Sequence, residues 1–427
     1  MKKVFLLLGI CTVAGTTTQA QLFDRIKNKV QQKVNEKIDK TIDDATAPKK
    51  KGEQGSTNSG DTPAPEDTGN NAPVAANSGP ANTDIKSYSR FDFIPGEKII
   101  VQENFAQDPV GEFPGQWNTR SGAEIVTVSN RPGKWLAIKQ DGIFYPEYLT
   151  SNLPDNFTLQ VDIMASNGIA GIGMLTVSVL KATGTEEKFD LGGKEHIMAP
   201  SFKVGLAPKS SGQGYLSYSS NLIGDNTING LPVFNVPKKN YVRLSLWRQK
   251  QRVRVYLDST KIVDLPRALD AGAVLNTLAF AAYAPDYDQQ DGTFYIGNIT
   301  LAVGAPDTRN KLITEGKFIS HGILFDTNSD QIKPESYGAL KDIANVLTES
   351  AAIRVKIVGH TDADGNEKLN LDLSKRRAEA VKAALVKDFG IDVARLETDG
   401  KGKTQPIDNN NTEVGKANNR RVEFIKL

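Results

Sequence analysis

Two charged residues near the end of the chain, Asp362 and Arg377, have the types and spacing to hold a ligand that carries both charges. Asp362 sits just past "IRVKIVGH", Ile353 to His360, with Thr361 between, and the apolar and β-branched residues of that run predict a strand. Arg377 lies fifteen residues further on, inside a segment with Leu371, Ala378, Val381, Leu385 and Phe389 on one helical face and Gly390 at its stop. The intervening loop, "ADGNEKLNL", can fold back so that both side chains border one pocket. Loops after the carboxyl ends of strands are where α/β folds place ligands. A carboxylate and a guanidinium there suit a zwitterion: its amine pairs with Asp362, and its carboxylate takes the planar fork of Arg377. On charge alone, the plainer reading is a structural ion pair worth ~0–1 kcal/mol.

The elements that must position this pair alternate through residues 312–427. "HGILFDTNS" reads as a strand and turn. Pro334 opens a helix with Leu340, Ile343, Ala344 and Leu347 at helical spacing. "RLETDGKG" and "RRVEFIKL" read as two further strands. The expected result is an α/β two-layer sandwich.

These residues closely resemble the OmpA-like peptidoglycan-binding domain. The resemblance is carried by Gly359-His360-Thr361-Asp362, Gly365, Asn370, Leu373-Ser374, Arg377-Ala378 and Val381. It continues through Gly400, Gly402, Pro406, Asn411-Thr412, Gly415 and Asn419-Arg420-Arg421-Val422-Glu423, and upstream in "ILFDTNSDQIKPES". It implies non-covalent binding of peptidoglycan at the free end of meso-diaminopimelate in the stem peptide. Asp362 would then hold the amine and Arg377 the carboxylate, with Thr361, Asn370 and Asp326 shaping the pocket. Arg421, in the closing arginine pair, would lie nearby, either at the ligand or bracing a carboxylate.

Residues 88–304 have a different character. "FTLQVDIMA", "GMLTVSVLKA", "YVRLSLWRQ", "RVRVYLDST", "LAFAAYA" and "FYIGNITLAV" are short β-branched and aromatic runs separated by Gly, Asn, Asp and Pro. This pattern predicts an all-β sandwich with a tight turn near Gln249–Gln251. With "NFAQDPVGEFPGQW" it resembles the concanavalin-like jelly-roll family. That scaffold carries sugar-binding modules and glycoside hydrolases alike, so a glycan or protein ligand is expected without being specified. Trp117, Trp135 and Trp247 suit the core better than a sugar platform. Glu186, Glu187 and Asp190 lie close together in the loop-like "GTEEKFD" and make a weak case for a hydrolase.

The amino end reads as an export signal. Lys2 and Lys3 precede a short apolar run, and Thr18-Gln19-Ala20 supplies a cleavage site after Ala20. Cys11, the one cysteine, is a poor lipidation site because bulky Ile10 precedes it. Residues 21–44 read as an amphipathic helix whose stripe winds around it. A membrane surface, a helical partner or solvent would each suit that helix. Residues 45–86, rich in Pro, Gly, Ser and Asn, read as a disordered linker. A net charge of +2 gives no basic surface for nucleic acid.

The expected whole is multi-domain. After the signal peptide, helix and linker comes a jelly-roll-like all-β sandwich (88–304), then an OmpA-like α/β two-layer sandwich (306–427). The chain is expected in the periplasm or at the outer membrane of a Gram-negative bacterium. No catalytic group or cofactor is expected. Asp286, Asp288 and Asp291 suit a plain turn better than a calcium loop, and His196, His321 and His360 lack zinc spacing. The rival reading is a wall-anchored glycan-binding adhesin or a glycoside hydrolase acting through the sandwich.

Overall fold

The run Asn156–Ala165 is apolar or β-branched at seven of its ten positions, and it forms a strand buried on both faces. Phe157, Leu159, Val161 and Ile163 point into an apolar core. Thr158, Gln160 and Asp162 point the other way, as the period of two requires, and they are buried as well. That second burial shows that something covers the outer face of this sheet.

The computed structural model describes residues 91–166, 172–193, 198–208, 214–231, 234, 239–283, 292–305 and 307–427. The expected signal peptide, helix and linker lie outside the described residues, as do His196, Asp286, Asp288 and Asp291.

Two antiparallel sheets pack face to face among the described residues. Their strands are β1 (Lys98–Glu103), β2 (Trp117–Thr119), β3 (Ala123–Val128), β4 (Arg131–Ile138), β5 (Gly142–Pro146), β6 (Asn156–Ala165), β7 (Met174–Leu180) and β8 (Ser201–Ala207). They continue with β9 (Tyr215–Ser220), β10 (Gly224–Asn229), β11 (Tyr241–Gln249), β12 (Arg252–Leu257), β13 (Thr260–Leu265), β14 (Thr277–Tyr283) and β15 (Phe294–Val303). The first sheet runs β13-β12-β11-β6-β15-β4-β3, with β1 also paired to β15. The second runs β10-β9-β8-β7-β14-β5-β2. Leu159, Val161 and Ile296 from the first sheet meet Val177, Phe202 and Phe280 from the second in one core. Residues Lys250 and Gln251 turn the chain between β11 and β12, with Lys250 at φ 55°. The loop expected at "GTEEKFD" is instead a helix, α1 (Thr185–Gly193). Glu186 and Glu187 stand in its first turn, where acidic groups favour the positive end of the helix.

The C-terminal region forms a second core on a four-stranded sheet. Helix α2 (Thr308–Ile313) leads into β16 (Lys317–Ser320). Helix α3 (Tyr337–Glu349), β17 (Val355–His360), helix α4 (Glu367–Phe389) and β18 (Leu396–Gly402) follow. Helix α5 (Glu413–Asn419) and β19 (Val422–Lys426) close the chain. The sheet order is β16-β19-β17-β18, and β17 runs parallel to β18. Leu340, Ile343, Ala344 and Leu347 are buried, as their spacing predicts.

Three details differ from the sequence reading in this region. The loop expected over "ADGNEKLNL" ends at Asn366, whose side chain caps α4, and the chain is helical from Glu367 on. The first strand is Lys317–Ser320, not "HGILFDTNS"; only Phe325 makes a bridge there, to Ile332. Leu371 is exposed, whereas Leu373, Ser374, Ala378, Val381 and Leu385 are buried. The reason is length. At about 1.5 Å per residue, a helix of this span outreaches strands of six or seven residues at about 3.3 Å each, so its first turns overhang the sheet.

Both cores belong to one compact unit. Helix α5 lies on β1. There the Asn418 side chain accepts from the Ile99 amide (3.0 Å) and donates to the Ile99 carbonyl (3.0 Å). Strand β1 has a register shift between Ile99 and Val101, and Asn418 grips the chain at that irregularity. Ala417 packs with Ile99 and Ala302 beside it. Ion pairing of Lys311 with Glu97 (2.7 Å) and a bond from Asn104 to Glu413 (2.7 Å) frame the contact. Asn418→Ala is expected to cost about 1–3 kcal/mol, because it strands two buried backbone groups. Urea unfolding of the variant against the parent chain checks this, and an unchanged midpoint would show that the clamp contributes nothing.

Candidate functional site

Three glycines let helix α4 lie directly on the ends of β17 and β18. A Cβ on Gly359 would stand 2.2 Å from the Ser374 carbonyl oxygen. One on Gly400 would stand 2.4 Å from the Lys375 amide nitrogen, and one on Gly402 2.8 Å from that of Leu371. Ser374, buried in the same seam, accepts from the Gly402 amide (2.9 Å). This close approach places the middle of α4 beside the loop that leaves β17.

The loop is held by its own short polar side chains. Thr361 donates its hydroxyl to the Asp362 carbonyl (2.9 Å), and its amide bonds the Gly402 carbonyl. Asn366 caps α4 by accepting from the amides of Lys368 and Leu369. Asn370 reaches back to the Asp364 carbonyl (2.7 Å). Asp362 Oδ1 accepts from the Asp364 amide (3.1 Å), and Oδ2 takes Arg420 Nη1 at 2.6 Å.

Arg377 is fixed from three sides. Its Nε donates to the Ser329 carbonyl (2.9 Å), its Nη2 donates to the Asp326 carbonyl (3.3 Å), and its plane stands 4.8 Å from the centre of the Phe325 ring. Burial, followed by repulsion from Arg420, holds its guanidinium below the usual arginine range, with Asp362 acting in the opposite sense. An incoming carboxylate would relieve that repulsion.

Asp362, Arg377, Thr361, Asn370, Asp326 and Arg421 all border one open cleft of about 560 Å³. They do not enter it alike. The Asp326 carboxylate pairs with Lys333 (3.2 Å), and its carbonyl is what positions Arg377. The guanidinium of buried Arg421 is bonded to Glu423 (2.7 Å) and to the carbonyls of Asn419 and Gln405, so it braces the base of the cleft. The residue that sequence reasoning missed is Arg420, the neighbour of Arg421 and the partner of Asp362. Its place in the closing Arg-Arg pair was the available signal. The opposite side of the cleft is also unforeseen: it is supplied by the first sheet through Gln102, Gln160, Arg243, Asn298 and Thr300.

Beneath the cleft, Glu423 has a side chain only 5% exposed and takes Arg421 and Lys317 at 2.7 Å each, with His360 Nε2 at 3.5 Å. Burial alone would raise its carboxyl, but bonding from His360, Lys317 and Arg421 outweighs that and holds it far below the usual glutamate range. A depressed folded-state pKa contributes stability above the unfolded value near 4.3 and loses it as pH falls towards the folded value. Stability is therefore expected to drop steadily as pH falls below about 4.5, and Glu423→Gln should flatten that slope. Denaturation midpoints between pH 3 and 7 check it; parallel profiles for the two proteins would refute the assignment.

The remaining candidates are built into structure. Trp117, Trp135 and Trp247 are buried. Glu186 pairs with Arg120 beside the Phe189 ring, and Glu187 accepts from the Thr183 amide (2.6 Å). His321 is half-buried with Nε2 on the Asn418 carbonyl (3.1 Å).

Residues 324–420, in the C-terminal region, match the OmpA family. The chain is 43% identical over 101 residues to outer membrane porin F of Pseudomonas fluorescens, covering 24% of this chain and 31% of that protein. It is 41% identical over 104 residues to the probable lipoprotein YiaD of Escherichia coli, covering 24% and 47% respectively. The chain thus spans less than half the length of either relative. The solved peptidoglycan-associated lipoprotein of Burkholderia pseudomallei is 30% identical, covering 25% of this chain and 88% of that one, with a TM-score of 0.23. The relatives are outer-membrane proteins and lipoproteins, in agreement with the periplasmic or outer-membrane location expected from the sequence. Among the described residues, no helix is long and apolar enough to cross a membrane.

Proposed function

We propose that this protein is a non-enzymatic tether that holds peptidoglycan non-covalently by the diaminopimelate of the stem peptide. The observation that carries this reading is the shared cleft: Asp362 and Arg377, opposite in charge and both anchored by backbone groups, border the same hollow. The ligand amine joins the lone pairs that Arg420 and the Asp364 amide leave on Asp362. The ligand carboxylate sits against the remaining Nη1 of Arg377. Thr361 and Asn370 keep the loop in shape, Asp326 and Phe325 orient Arg377, and Arg421 supports from below. A charge pair at 4 Å is worth about 1 kcal/mol in water and about 4 at an effective dielectric of 20. Each contact is therefore modest, and many copies along a wall add avidity.

In this reading the C-terminal domain (306–427) grips the wall and carries a concanavalin-like sandwich (88–304) whose own ligand is a glycan or a protein. A second cleft, of about 360 Å³, on the second sheet favours a glycan. Tyr215 and Tyr218 border it together with Asp225, Asn226 and Asn229, and rings beside polar groups suit sugars. The deciding experiment for the main reading is co-sedimentation of the purified chain with insoluble peptidoglycan, with and without free meso-diaminopimelate. Retention that free diaminopimelate competes away supports it; retention indifferent to diaminopimelate, or none, rejects it.

A further inference from the structure

The cleft is larger than the charge pair requires. A volume of about 560 Å³ is in the range that holds a drug-sized ligand, well beyond one amino acid end. Its far side is the outer face of the first sheet, covered elsewhere by residues 91–96 and by the C-terminal region. There Arg243 is locked on Asp162 by two bonds, from Nε (2.6 Å) and from Nη2 (2.9 Å), so the pair adds little net charge. The groups left facing the cleft are mainly amides and a hydroxyl.

Each amide has one half engaged. Gln102 Oε1 accepts from Thr300 (3.0 Å), leaving its amide N–H groups without a protein partner among the described residues. Gln160 donates to Ser245 (3.2 Å), leaving its carbonyl. Asn298 donates to Asp162 (2.8 Å), likewise leaving its carbonyl, and it is held at φ 45° in a break of register on β15. One side therefore presents a charged pair, and the other presents unengaged donors and acceptors with no net charge. A peptide backbone offers the complement, since each amide bond carries one donor and one acceptor.

We infer that the outer face of the first sheet is the second wall of the site and binds the amide groups of the peptide that carries the diaminopimelate. The inference rests on the peptidoglycan reading above. It makes the β region a specificity element that distinguishes a peptide-linked ligand from the free amino acid. The two walls are held in register by the Asn418 clamp on Ile99.

The test is titration of the full chain with two ligands, free meso-diaminopimelate and a synthetic tripeptide ending in meso-diaminopimelate. The parent chain is expected to bind the tripeptide several-fold more tightly. Gln102→Ala and Gln160→Ala should each weaken the tripeptide by about three- to tenfold, the range for one lost hydrogen bond, and leave the free amino acid unchanged. Unchanged binding of the free amino acid also reports that the variant's cleft is folded, and Gln102, partly exposed on β1, is the variant least able to disturb the core. Equal affinity of the parent chain for both ligands, or equal loss of both in the variants, would overturn the second wall while sparing the peptidoglycan reading. Binding of neither ligand by the parent chain would sink that reading and this inference with it.

Discussion

Asp362→Ala is expected to reduce retention on insoluble peptidoglycan by at least about tenfold, and Arg377→Ala by a similar factor. Each removes one charge-assisted contact, about 1.5–3 kcal/mol, and leaves the opposite charge of the ligand unpaired in a half-buried cleft. The two variants are not equivalent in their side effects. Removing Asp362 also frees Arg420, whose Nη1 it holds at 2.6 Å, and puts two uncompensated guanidinium groups at one cleft. Removing Arg377 relieves that repulsion. The double variant Asp362→Ala/Arg420→Ala therefore separates loss of the ligand's amine contact from excess positive charge. Co-sedimentation at several salt concentrations measures all three. Wild-type retention by Asp362→Ala would show that the carboxylate serves only Arg420.

Gly359→Val should destabilise the protein by about 2–4 kcal/mol, through overpacking and backbone displacement. The obstacle is the Ser374 carbonyl oxygen, 2.2 Å from any Cβ placed there, and a helix backbone cannot swing aside as a side chain can. If α4 shifts to make room, Arg377 shifts with it, so peptidoglycan retention should fall together with the unfolding midpoint. Gly115→Ala is the comparison, because a Cβ there meets nothing within 4 Å. That change is expected to stay within about 0.5 kcal/mol. Equal melting temperatures for the two variants would refute the seam.

Particular residues show how far the sequence could be read. The strand before Asp362 and the stop at Gly390, which adopts φ 69°, are local features, and local rules found them; the cap at Asn366 went unread, because its segment was taken whole as loop. Leu371 followed the helical period yet stays exposed, since periodicity carries no information about where the sheet beneath ends. The segment "GTEEKFD" looked like a loop because short polar helices have little apolar pattern to detect. Asp362 and Arg377 were read together chiefly through the resemblance to the family motif, and one strand, one loop and one helix connect them. Their side of the cleft is built from neighbours in sequence, whereas the other side is not. Ile99 and Asn418 meet across 319 positions, and nothing in either stretch announces the other. Thr158, Gln160 and Asp162 did carry a trace of that contact, being polar in a strand that is buried on both faces.

The grip of Asn418 on β1 has a mechanical consequence. A pull applied at the cleft enters α5 and reaches β1 through a pair of bonds to one residue, reinforced by the Lys311–Glu97 and Asn104–Glu413 links. Strand β1 is in turn stitched along its length to β15, which crosses the middle of the first sheet. Tension is thereby shared across a broad ladder, and the β region would follow the cleft as ballast follows a mooring line.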